Sequence, residues 1–232
     1  MTEYTDKNSM QKGRQKSVGI DKSKLYKTRN NIQISRRLIH MGMGIFAATL
    51  YNLSVAHQQA VYLLGTCASV MYIFEQLRVS YPEYSEKFNI ITKYFLRAEE
   101  QLQESASVPY AMALLLTILS FPKIVAVTAI YILAIADPLS AIIGIKFGKH
   151  PWSKGKTLEG SGAFFISTFL CILITFGSTL QYSVAVFILA LFAAIIITLF
   201  EAIPIRIDDN LTIPLFSAAT LWAFSAILSL AI

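Results

Sequence analysis

The sequence predicts an all-α integral membrane protein: about seven transmembrane helices, a cytoplasmic N-terminus and one interfacial amphipathic helix. Three observations carry this. The chain of 232 residues is 55% hydrophobic and only 15% charged, where a soluble domain carries about 25% charged residues. Its mean hydropathy is +0.55. Charge-free stretches recur at lengths suited to the ~20 residues that cross a hydrocarbon core. The basic residues, finally, fall almost entirely on one side of the spans so defined.

The elements follow in order. Residues 1–35 are polar, basic and poor in apolar side chains, which predicts a disordered cytoplasmic tail able to attract anionic lipid. No small-residue cleavage site follows the first apolar run, so the tail is not expected to be a secretory signal. A single polytopic membrane domain is predicted over 36–232. Between Arg37 and Glu75 the ionisable groups are His40, His57, Cys67 and a few tyrosines, which fits two helices turning near Asn52 to Gln59. In 81–104, Tyr84, Phe88, Ile91, Phe95 and Leu102 share one helical face and Pro82 suits the first turn. That segment is expected to lie as an amphipathic helix in the membrane interface. Between Glu104 and Asp137 the one charge is Lys123, beside the Phe121-Pro122 break, so two more helices fit. The uncharged run from Glu159 to Glu201 holds two, with a turn near Gly177 to Ser183, and 211–232 supplies the last.

Charge placement supports that order. With the basic tail inside, every Lys and Arg from Lys7 to Arg37 is cytoplasmic, as are the 76–104, 147–160 and 204–210 loops. Of 20 basic residues only Lys123 falls on the far side, and all 14 acids lie inside or at the inner edge. Cys67 and Cys171 sit mid-span as small packing residues, with no disulfide implied. The short chain and compact loops favour a bacterial inner membrane, with the endoplasmic reticulum membrane as the eukaryotic counterpart and the site facing the cytoplasm.

Two polar clusters interrupt the apolar pattern. One runs from Asp137 through Gly144, Gly148, Lys154, Lys156, Thr157, Glu159, Gly160 and Ser161; the other is Glu201, Pro204, Asp208, Asp209 and Asn210. An acid at or near hydrocarbon depth is costly, so it points to function. Asp137-Pro138 combines a carboxylate with a broken backbone. It suits Mg²⁺, which takes one or two carboxylates plus substrate phosphates, or pairing with an arginine of another helix. Gly144 and Gly148 let a neighbouring helix or a ligand come close. Lys154 and Lys156 suit phosphate oxygens, Gly160 allows close backbone approach, and free N–H groups around Ser161 favour an anion.

Gly155-Lys156-Thr157 looks like the end of a P-loop. Position 150, however, is His, and a membrane helix rather than a strand precedes it, so that context fails. The plain alternative is a loop that is basic for topology alone. Asp208 and Asp209 repel one another without a cation, which points to metal binding or to one of them as general base. Glu201 lies just inside the same edge. Arg36, His40 and Gly44 share a helical face, which allows phosphate binding by Arg36 or Arg37 with His40 as base. Snorkelling is the favoured alternative for Arg37. Glu75 and Arg78, three apart, suit a helix-surface ion pair.

Taken in order, these residues resemble the family of CTP-dependent membrane lipid kinases: yeast-type diacylglycerol kinase, dolichol kinase and phytol kinase. The matching stretches are Arg36-Arg37-x-x-His40, Glu75-x-x-Arg78, Phe121-Pro122-Lys123 and Asp137-Pro138-x-x-Ala141-x-x-Gly144-x-x-x-Gly148. They continue with Lys156-Thr157-Leu158-Glu159-Gly160-Ser161 and Glu201-x-x-Pro204-x-x-x-Asp208-Asp209-Asn210-x-x-x-Pro214. Arg-Arg stands where Arg-Lys is usual. The resemblance implies transfer of the γ-phosphate of CTP to a lipid alcohol, diacylglycerol or a polyprenol, giving phosphatidate or a polyprenyl phosphate.

It further implies Mg²⁺ or another divalent cation, a nucleotide and a membrane lipid as partners, and no nucleic acid. Asp137, Lys156, Asp208 and His40 become the catalytic candidates. Asp137, Glu201, Asp208 and Asp209 become the metal candidates. Arg36, Gly144, Gly148, Lys154, Lys156, Thr157, Glu159, Gly160, Ser161 and Asn210 become the nucleotide-binding candidates. Two rivals stay open. A phosphatidate cytidylyltransferase would use the same nucleotide, though its C-terminal signature is not evident. A small transporter would bind its substrate at a helix broken at depth.

Overall fold

The computed structural model describes residues 22–80, 107–153, 155–205 and 207–231, with side chains described from Arg37 onward apart from positions 78 and 79. Residues 1–21 and the expected interfacial helix of 81–104 lie outside the described residues. Residues Arg36–Ile232 form a compact unit, the helical membrane bundle.

The described elements are α1 (Lys22–Leu53), α2 (His57–Ser80), α3 (Ser107–Ser120), α4 (Lys123–Tyr131), a π-helical turn (Ile132–Ala136), α5 (Asp137–Phe147), β1 (Pro151–Ser153), β2 (Lys156–Thr157), α6 (Leu158–Leu180), α7 (Val184–Glu201) and α8 (Asp209–Ile227). α1 starts inside the stretch expected to be disordered, and no glycine or proline interrupts it from Lys22 to Gly42. The turns fall where the sequence placed them: at residues 54–56, at Phe121-Pro122, and at 181–183, where Gln181 takes a positive φ of 67°.

Helices occupy each of the seven predicted places, but five of those described are long and apolar enough to cross a membrane: His57–Leu77, Lys123–Phe147, Leu158–Leu180, Val184–Glu201 and Asp209–Ile227. α3 has 14 residues, about 21 Å of helix against a hydrocarbon core of roughly 30 Å. α1 carries charge along its first half as far as Arg37. The chain is therefore an all-α multi-pass membrane protein, with five helices of spanning length and apolarity among the described residues.

The expected break at Asp137-Pro138 is a continuous helix from Lys123 to Phe147 that widens through the π turn directly before Asp137. Proline lacks an N–H and its ring crowds the carbonyl four residues back. One wide turn absorbs that mismatch without ending the helix.

Packing follows membrane logic. Small residues fill the centre, with Ala113, Ala126, Ala129, Ala136, Ala190, Ala193 and Ala194 all buried, while Leu63, Ile73, Ile166, Ile174, Phe187 and Leu199 face outward. Buried hydroxyls bond back along their own helices: Thr117 and Thr128 Oγ1 each donate over 2.7 Å to the carbonyls of Ala113 and Ile124. Thr128 also meets Thr175 across the α4–α6 contact at 2.7 Å.

α6 packs against α5 and α7, while α8 packs against α3, α4 and α7. The rings of Phe200 and Phe216 stack 3.7 Å apart to join α7 to α8. α1 runs antiparallel to the Lys123–Phe147 helix. Tyr51 lies under Lys123, Thr49 bonds the Tyr131 hydroxyl at 2.8 Å, and Gly44 admits Ala134, whose Cβ would stand 2.6 Å from an added Cβ. Arg37 therefore reaches the level of Asp137, whose carboxylate feels its charge.

Candidate active site

Five charged side chains from separate elements lie toward this end of the bundle. Lys156 comes from β2, Glu201 from the last turn of α7, Asp209 from the first turn of α8, Asp137 from the start of α5, and Arg37 from α1. Lys156 Nζ donates to Glu201 Oε1 and stands 3.7 Å from Asp209 Oδ2. Asp137 lies within electrostatic reach of Arg37, Lys156, Asp209 and Glu201. Burial works against the Lys156 ammonium. The hydrogen bond and charge of Glu201, with Asp209 and Asp137 behind it, outweigh that and hold its pKa above the usual lysine value.

A β-hairpin aims Lys156. β1 and β2 pair antiparallel, Ser153 opposite Lys156. Gly155 adopts φ +79°, a left-handed conformation that glycine takes without strain. Side chains tie the hairpin down. His150 Nδ1 meets Glu159 Oε1 at 2.7 Å, Trp152 Nε1 donates to Ser161 Oγ at 3.1 Å, and Ser153 Oγ donates to the Ala202 carbonyl at 2.7 Å. Two of the expected nucleotide-binding residues, Glu159 and Ser161, are thus bound to the hairpin.

The glycines sit where α5 crosses α6. Thr157 caps α6, its Oγ1 accepting from Gly160 N at 3.2 Å. A Cβ on Gly160 would meet the Ser140 carbonyl at 2.9 Å and Gly144 Cα at 3.4 Å, and one on Gly148 would meet Thr157 Oγ1 at 2.8 Å. Of the two uses foreseen for Gly144 and Gly148, the one visible here is the close approach of a neighbouring helix.

The remaining candidates are distributed as follows. Asp208 caps α8, accepting from Asn210 N at 2.8 Å, so Asp209 rather than Asp208 faces Lys156. His40 lies one turn along α1 from Arg37, its ring 4.1 Å from that of Tyr110. Arg36 is in α1, but its side chain lies outside the described ones, as do those of Lys154 and Arg78. Glu75, expected on a helix surface, is buried.

Sequence reasoning undervalued Arg37, though Arg37, Gly44, Ala48 and Tyr51 follow one face of α1 and could have marked it. Nothing local foretold the Ser153–Ala202 bond, which joins residues 49 positions apart.

Among the described residues no three His, Cys, Asp or Glu side chains converge into a metal cage. A Mg²⁺ held largely by substrate phosphates needs only one or two carboxylates. Asp209, with a side chain 54% exposed beside Lys156, and Asp137 suit that smaller role.

Comparison with known proteins adds the chemical context. The chain is 25% identical over 142 residues to CTP-dependent diacylglycerol kinase 1 of Schizosaccharomyces pombe, covering 60% of this chain and 65% of that protein. It is 22% identical over 142 residues to the Saccharomyces cerevisiae protein of the same name, covering 60% and 49%. It is 31% identical over 105 residues to phytol kinase of Synechocystis sp., covering 44% and 45%. Each match spans less than two thirds of the relative's own length. These relatives are of the kind that the sequence motifs resemble. No family model matches the chain, and no solved structure matches it.

Proposed function

We propose that this protein is a lipid kinase that transfers the γ-phosphate of CTP to the hydroxyl of a membrane lipid alcohol. The observation that carries the reading is the convergence of Lys156, Glu201, Asp209, Asp137 and Arg37 at one end of an apolar bundle. Relatives named as CTP-dependent diacylglycerol kinases and a phytol kinase support it.

Phosphoryl transfer asks mainly for positioning and charge neutralisation. Lys156 and Arg37 offset the charge on the phosphate oxygens. Asp137 and Asp209 would hold a divalent cation, which would supply positive charge to offset that of the phosphates. The lipid oxygen bonds to the γ-phosphorus as the bond from that phosphorus to the bridging oxygen breaks, which releases CDP. The hydroxyl proton passes to a carboxylate of the acidic set. The acceptor approaches from the bilayer, whose headgroup level suits a diacylglycerol or a polyprenol equally.

Purified protein in mixed micelles, given CTP labelled at the γ- or the α-phosphorus with Mg²⁺ and each lipid, tests the reading. Label should enter diacylglycerol or polyprenol from the γ-position only. Transfer from the α-position into phosphatidate would make the protein a cytidylyltransferase. No transfer to any lipid would overturn an enzymatic role.

A further inference from the structure

Glu201 differs from the other acids of the site. Its side chain is 1% exposed, against 54% for Asp209 and 29% for Lys156. One carboxylate oxygen accepts from Lys156 Nζ, and the other, Oε2, is buried with no hydrogen-bond partner among the described residues. A half-satisfied buried carboxylate is costly, and its retention calls for a reason. An oxygen so enclosed is poorly placed to meet a hydrated cation arriving with a nucleotide. The ammonium it holds is better placed, because lysine has three donors and this one is partly open to solvent. The next residue along strengthens the arrangement: the Ala202 carbonyl takes the Ser153 hydroxyl, so Glu201 at the end of α7 and Ala202 just after it grip both hairpin strands.

We propose that Glu201 is a positioning residue rather than a metal ligand. It anchors Lys156 from beneath, so that the exposed face of the ammonium meets the nucleotide phosphates beside Asp209 and Asp137. This rests on the reading of the protein as a CTP-dependent kinase and deepens it. A residue acting only through Lys156 has no effect once Lys156 is gone, whereas a metal ligand acts independently.

The test is a double-mutant cycle on the full chain with Glu201→Gln, Lys156→Met and the pair together. Two quantities are read: the Kd for CTP by calorimetry in detergent, and the apparent KM for Mg²⁺ in γ-phosphate transfer. Losing a charge-assisted hydrogen bond should weaken CTP binding by roughly 10- to 100-fold in Glu201→Gln. The double variant should match Lys156→Met within about 3-fold, and the Mg²⁺ KM should stay unchanged in Glu201→Gln. Losses that multiply in the double variant, or a raised Mg²⁺ KM, overturn the proposal. Should Glu201→Gln not fold, Glu201→Asp keeps the charge but sets it back by one methylene. It should then weaken CTP binding without moving the Mg²⁺ KM, and the reverse pattern overturns the proposal. A wild-type protein that neither binds CTP nor transfers its phosphate removes the kinase reading and this inference with it. An intact wild type with a multiplying cycle removes the inference alone.

Discussion

The two ends of the bundle handle charge in opposite ways. At one end Lys123 is the single Lys or Arg among the described residues, and it lies over the Tyr51 ring at 5.1 Å, with the Tyr51 hydroxyl 3.0 Å from His57 Nδ1. About 21 Å away along the same helix, Asp137 shares its surroundings with Arg37, Lys156, Asp209 and Glu201. A lone cation over an aromatic face is a mild anchoring contact. Three acids and two bases gathered beside an apolar core are not needed to hold helices together, since the core does that with alanines and back-bonded hydroxyls. On the proposed reading the difference locates the chemistry: what one end uses for anchoring, the other would offer to a charged substrate.

The sharpest way to break the comparison is at Asp137. Asp137→Asn should lower γ-phosphate transfer at least ~1,000-fold, the scale of losing a group that acts on the transition state. Its thermal midpoint should stay within a few degrees of wild type by differential scanning fluorimetry. Substantial turnover in that variant would move the chemistry elsewhere.

Gly160→Leu comes next. Its Cβ would run into the Ser140 carbonyl and Gly144 Cα, which forces α5 from α6 at a cost of about 1–3 kcal/mol or more. The expected outcome is a lowered midpoint together with lost activity, where an equivalent change at Gly162, which has nothing within 4 Å, leaves both near wild type.

Ser153→Ala loosens the hairpin without touching charge. Losing one neutral hydrogen bond, worth about 0.5–1.5 kcal/mol, should raise the KM for CTP roughly 2- to 10-fold, with kcat little changed.

The smallest expected effect concerns pH. Because the Lys156 pKa is raised, its ammonium stays charged up to and past the ordinary lysine value near ~10.4. Its ion pairs are fully present below that value and are lost only as pH rises through the higher folded pKa. Activity measured from pH 7 to 9 should therefore show no loss traceable to residue 156, and Lys156→Arg should share the wild-type profile over that window.

Much of the fold was legible because hydropathy and charge are local properties. The turn before His57 and the Phe121-Pro122 break both follow from residues adjacent in the chain. Span length was less legible: α3 is described over 14 residues, shorter than the charge-free run between Glu104 and Phe121 suggested. The π turn before Asp137 escaped too, since proline was expected to break a helix that the surrounding packing keeps continuous. At the site, the acids and Lys156 stood out by their placement at span ends. Their division of labour did not, because it depends on burial. Asp208 and Asp209 are neighbours in sequence, yet one caps a helix and the other faces Lys156. Arg37 gained significance only once α1 was seen to run antiparallel to the helix that carries Asp137.

The most direct test of the central claim puts the two ends side by side. γ-Labelled CTP and diacylglycerol or polyprenol are given to wild type, Lys156→Met and Lys123→Met at equal protein concentration. The account predicts at least a ~100-fold loss for Lys156→Met and less than about 3-fold for Lys123→Met, consistent with a transition-state contact against a mild anchoring one. Equal losses in the two variants, or full activity in Lys156→Met, would contradict it.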